Sequence, residues 1–194
     1  MKPQIVVIFL FAALLLSACG GPNTATLGTP MPPAIPATPP QFASLDVQPP
    51  AAGQEPCRVH AVELIGAWVT AGAKETEPFP FTDLDGQSCQ GDYAADIQPL
   101  FVHSNVWYTG APACVTCHYA ETATAWAQLD LSSYAGVVAG SRRATPDAKG
   151  TDILGAGTWE KAILFTQFNT LRMPPGRPAG SDPKGPVIAA GVRP

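Results

Sequence analysis

Positive charge is scarce in this chain. Eleven Lys and Arg stand against 15 Asp and Glu, for a formal net charge of −4. No basic cluster is dense enough to mark a nucleic-acid binder. Long apolar runs are missing too. The N-terminal run from Ile5 to Leu16 has twelve residues, short of the ~20 needed to cross a hydrocarbon core of ~30 Å. No sustained alternation of apolar and polar residues marks a strand, and no segment repeats. Methionine is rare: of three, Met1 and Met31 fall in the first 31 residues, which leaves Met173 alone in the rest of the chain.

The start of the chain has a recognisable order. Lys2 precedes the apolar run, as in an export signal. Leu16-Ser17-Ala18-Cys19 follows and resembles a bacterial lipobox. That resemblance implies a signal peptide over residues 1–18, cleavage before Cys19, and acylation of the Cys19 thiol and its new amino group. Two or more acyl chains anchor a protein stably, at ~0.8 kcal/mol per buried methylene. The mature chain would then stand on the outer, periplasmic side of the cytoplasmic membrane, where disulfides form.

Residues 19–56 read as the lipidated Cys19 and a tether. Ten prolines fall in residues 20–56, with Asp46 and Glu55 as the only charges. Such a segment buries too little apolar surface to fold. At ~3.1 Å per residue its extended reach is on the order of 100 Å. Residues 57–194 form one domain's worth of chain. Four stretches have helical spacing. In HAVELIGAWVTAG, Ala61, Leu64, Ile65 and Trp68 share a face, with Gly72 as the stop. DYAADIQPLF has Asp92 as N-cap and a kink or shortening expected at Pro99. LSSYAGVVAG has Ser132 as N-cap and Gly140 as stop. TWEKAILFTQFNTL starts at Thr158 and aligns Leu164, Phe168 and Leu171. The expected fold class is all-α, with much irregular chain between the helices.

Five cysteines divide by context. Cys19 belongs to the lipid signal, and Cys114 and Cys117 to a motif. Cys57 and Cys89 remain, an even pair in an oxidising compartment, and are expected to form a disulfide. It would staple residues 57–90, an N-terminal extension of the domain, and stabilise by ~3–4 kcal/mol in the chain-entropy model.

The motif is Ala113-Cys114-Val115-Thr116-Cys117-His118. Three chemistries use such a group. Structural zinc needs four ligands, commonly as two closely spaced pairs; Cys57, Cys89, His60 and His103 supply no second pair. A thioredoxin-like dithiol belongs in a βαβ context, and no parallel strands flank the motif. Covalent haem attachment needs the histidine directly after the second cysteine, C-x-x-C-H, and His118 is there. The two thiols would add across haem vinyl groups, with His118 beneath the iron. The sixth position falls most naturally to Met173, in Leu-Arg-Met-Pro-Pro-Gly, since Met/His is a standard haem pairing. His103 and His60 are its rivals.

With Cys114-Val-Thr-Cys117-His118 followed by Met173-Pro-Pro-Gly, the chain resembles the class I, monohaem c-type cytochrome family, in a bacterial lipoprotein form. DIQPLF is similar to the short helix that leads into the attachment site, and LDLSSYAGVVAG to the middle helix. The resemblance covers roughly residues 92–177. It implies one haem c, thioethers at Cys114 and Cys117, and iron ligation by His118 and Met173. One departure stands out. The family usually closes with a helix after the methionine loop, and here AGSDPKGPVIAAGVRP is too rich in Gly and Pro. A helix at about 60–72 is expected to take that place, packed on Tyr93, Ile97 and Phe101. Tyr108, Trp107, Tyr119, Trp126, Tyr134, Trp159 and Phe168 are potential haem walls. Arg142, Arg143, Lys149 and Arg172 are potential propionate partners.

The function implied is a membrane-tethered carrier of single electrons, not an enzyme. It would work as a shuttle or as a haem subunit of a quinol-oxidising complex. Its partners would be redox proteins or a membrane electron-transport complex, with no nucleic acid and no small-molecule substrate. The alternative is a peroxidase-like haem enzyme or a ligand sensor, open at the sixth position if Met173 does not bind.

Overall fold

The structure is a computed structural model that describes residues 56–194. The export signal, Cys19 and the tether up to residue 55 lie outside the described residues. Three strands come early: β1 (Pro56–His60), β2 (Phe79–Thr82) and β3 (Ser88–Gly91); β4 (Val187–Val192) comes near the end. They form one four-stranded sheet in the order β1-β4-β3-β2. Each neighbouring pair is antiparallel, with Cys57 opposite Ala190, Gln90 opposite Val192 and Phe81 opposite Cys89.

The expectation of an all-α domain is therefore wrong. The first three strands do alternate, but over only two buried positions each: Cys57 and Val59, Phe79 and Phe81, Cys89 and Gly91; β4 buries Ala190 alone. That is too brief for periodicity to show. Asp83 organises the tight turn between β2 and β3. Its Oδ1 accepts from the amides of Asp85 and Gln87, at 2.9 and 2.8 Å, and Gly86 supplies the positive φ of 76° that few other residues adopt without strain. Cys57 and Cys89 are joined as a disulfide. The bridge ties together the two strands that lie on either side of β4.

β1 runs straight into α1 (Ala61–Thr70), the longest helix described. The amides of Ala61 and Val62 donate to the carbonyls of Pro186 and Lys184, each at 3.0 Å, so the approach to β4 satisfies two donors that a helix start leaves unpaired. Trp68 of α1 lies 5.1 Å from Tyr93 between ring centroids, and Tyr134 packs edge-on to Tyr93 at 5.2 Å. Gly66 of α1 meets the indole of Trp159, so close that an added Cβ would collide with the ring. The expected substitution of this helix for a terminal one in a helical bundle does not describe the architecture. α1 continues from a strand, and the last element of the chain is a strand.

The remaining helices are short. Tyr93–Ile97 forms a π-turn that passes into α2 (Gln98–Val102). Asp92 caps it, accepting from the amides of Ala94 and Ala95, and Pro99 sits in the first turn of α2, where its missing N–H costs nothing. α3 (Tyr134–Ala139) is capped by Ser133, one residue later than expected. The segment from Thr158 does not run as one helix: a 3₁₀ turn at Trp159–Lys161 breaks at Ala162 before α4 (Ile163–Asn169) begins. Leu171 lies beyond α4 with φ of 57°.

Candidate haem-binding site

Cys114–Thr116 is a single 3₁₀ turn. The amides of Cys117 and His118 both donate to the Cys114 carbonyl, at 3.1 and 2.9 Å. This turn presents both thiols and the imidazole to one cavity of about 330 Å³, within the size range of small-molecule and cofactor sites. Neither thiol is in a disulfide. Burial pushes the Cys114 thiol up to about 11, so it is protonated at neutral pH.

His118 is 9% exposed. Its Nδ1 lies 2.9 Å from the carbonyl of Trp126. A carbonyl only accepts, so Nδ1 carries the proton and Nε2 keeps its lone pair. Burial pulls the imidazole below its ordinary value, against a smaller opposing effect of that hydrogen bond. The ring is therefore neutral and oriented, the state a metal-ligating histidine needs. Two backbone bonds fix its surroundings: Trp126 N to the Cys117 carbonyl and Leu131 N to the His118 carbonyl, each 2.9 Å.

Met173 lines the same cavity as His118. His103 and His60, the rivals for the sixth position, do not line it; His60 Nδ1 faces the Gly185 carbonyl at 3.1 Å. Apolar side chains make the walls: Phe101, Leu129, Leu131, Ile153, Leu164 and Phe168. Half of these, Leu129, Leu131 and Ile153, carry no sequence signal, because they lie in irregular chain with no period to read.

Of the aromatic residues considered as walls, Trp126 and Phe168 line the cavity. Trp107 stands one layer back, stacked on Phe168 at 4.5 Å. Trp159 packs on Gly66 and Phe165, and Tyr134 on Trp68 and Tyr93. Tyr108 donates to the Pro175 carbonyl, and Tyr119 to the Thr124 hydroxyl. Of the four cations, Arg142 lines the cavity and is exposed. Arg143 is buried and its Nη1 donates to the Pro146 carbonyl. Lys149 and Arg172 are exposed and do not line it. Arg177, unremarked in the sequence, touches the methionine loop directly.

Compared with protein-family models, curated proteins and solved structures, the chain matches none of them.

Proposed function

We propose that the protein is a lipid-tethered monohaem c-type cytochrome that passes single electrons between redox proteins or to a membrane electron-transport complex. The observation that carries this reading is the meeting of two remote motifs at one cavity: Cys114, Cys117 and His118 from one segment, Met173 from another. Cys114 and Cys117 would hold haem c through thioethers, and His118 and Met173 would take its two axial positions. When bound, the haem supplies a one-electron Fe(III)/Fe(II) couple whose potential a Met/His pair raises.

The residues fit that group. The cavity is chiefly apolar, its imidazole is neutral with Nδ1 already engaged, and a thioether lines the same space. The Trp126 carbonyl orients His118 and raises its basicity as a ligand. With Met173 on the iron, the haem would have no open position for a substrate. Zinc is less well served: among the described residues, no cluster of three metal-ligating side chains includes Cys114, Cys117 or His118. The processing signal at Cys19 and the proline-rich tether support attachment to the outer face of the membrane.

Intact mass and redox-resolved optical spectra of the exported protein test this reading. One covalent haem with low-spin spectra in both states is expected, and Met173→Ala turns the ferric form high-spin. Absence of haem mass would refute the proposal. A high-spin wild-type ferric spectrum with tight cyanide binding would instead favour the enzyme or sensor.

A further inference from the structure

The turn that carries Met173 has little backbone to hold it. The amides of Arg172 and Met173 both donate to the Gln167 carbonyl of α4, at 3.0 and 3.2 Å. The next two residues, Pro174 and Pro175, have no amide hydrogen. Side chains hold this part of the loop. Tyr108 donates its hydroxyl to the Pro175 carbonyl. Arg177 does more. Its Nη1 lies 3.2 Å from the Phe168 carbonyl and 3.4 Å from the Met173 carbonyl. Its Nη2 donates to the Asp182 carbonyl, farther along the chain.

The same guanidinium lies over the Trp107 ring, 5.9 Å from its centroid. Trp107 stacks on Phe168 with 17° between the ring planes, and Phe168 lines the cavity. Arg177 is thus bonded at both sides of the methionine turn and stacked behind the cavity wall that the turn must face. We propose that Arg177 is the positioning residue that holds Met173 at the cavity, acting as a clamp between α4, the turn and the Trp107–Phe168 stack. The proposal rests on the reading of Met173 as an iron ligand. A lysine could not replace it: an ammonium has no planar face to lie on Trp107 and no fork to reach carbonyls on both sides of the turn.

The test is displacement of Met173 by cyanide in the ferric holoprotein, followed with the Met–Fe(III) charge-transfer band. Arg177→Lys and Arg177→Gln are each compared with wild type. Both variants should keep covalent haem by intact mass, show a weakened band, and bind cyanide about tenfold faster or more. Haem present with band and rate unchanged would overturn the clamp. A wild-type rate in Arg177→Lys alone would overturn the requirement for a planar fork. Loss of covalent haem from both variants would also overturn it, because the clamp acts on the methionine side and not on the thioethers. Wild type without haem would instead fail the underlying reading of the site, and the clamp with it.

Discussion

The strands and the cavity are built by opposite means. Around the sheet, β1 to β4 share ladder hydrogen bonds, and a disulfide spans the strands beside β4. Around the cavity, between residues 111 and 177, the chain relies on single turns: four 3₁₀ pieces and two helices of six and seven residues. Backbone strain follows the same division. Of the seven non-glycine residues with positive φ among the described residues, five lie on the cavity side: Ala127, Gln128, Arg142, Ala156 and Leu171. Such conformations persist where the surroundings over-determine them. The sheet region supplies stability from its own bonds. The cavity region is built from short turns that present side chains to one space.

This contrast can be broken in order of severity. The largest effect belongs to Cys114→Ser combined with Cys117→Ser. With haem bound as proposed, its covalent mass should vanish from the mass spectrum, and amides between 114 and 177 should exchange ~100-fold faster, while β1 and β4 stay protected. Equal loss of protection in the strands would show that the two regions are one cooperative unit. Next comes Cys57→Ala with Cys89→Ala. Loss of the bridge should cost ~3–4 kcal/mol in urea denaturation and leave the optical spectrum of the cofactor unchanged; a changed spectrum would tie the bridge to the site.

Gly66→Ala probes the seam, since the new methyl meets the Trp159 indole. Overpacking of this kind costs ~1–3 kcal/mol, and a single unfolding transition should move as a whole. Two separate transitions would divide the domain at α1. The smallest effect is at Asp83. The Gln87 amide, ahead of the Asp85 amide and Arg193, holds its carboxyl below the ordinary value, with burial opposing. A lowered folded value means that stability is present above the ordinary carboxylate value and is lost as pH falls through the lowered one. Asp83→Asn should flatten the acid limb of the melting temperature against pH below about pH 4 and leave the neutral plateau's slope unchanged. Parallel acid limbs would remove Asp83 from the account.

The two regions also differed in how far they could be foreseen. Helix α1 was legible because Leu64, Ile65 and Trp68 repeat at helical spacing, and the Cys57–Cys89 pair because those two cysteines remain once Cys19 and the 114–118 motif are set aside. The sheet was missed. Its strands are four to six residues long, and β4, Val-Ile-Ala-Ala-Gly-Val, buries little beyond Ala190 and depends on partners far away in sequence. One local signal was available: Asp85-Gly86 between Phe79-Pro80-Phe81-Thr82 and Ser88-Cys89-Gln90 is a strong hairpin signature. At the cavity, Cys114, Cys117, His118 and Met173 stood out in the sequence because their residue types and spacing are rare, and all four line it. Apart from Trp126 and Phe168, the walls did not stand out, nor did Arg177, because ordinary leucines and a half-buried arginine carry no local mark.

The position of β4 sets an order of assembly. It lies between β1 and β3, so the sheet cannot close until residues 187–192 have joined it. A chain that stops short of residue 187 would expose the hydrogen-bonding edges of β1 and β3 that β4 covers, and naked strand edges are what neighbouring molecules pair with. Residues 187–192 therefore guard two strand edges against self-association.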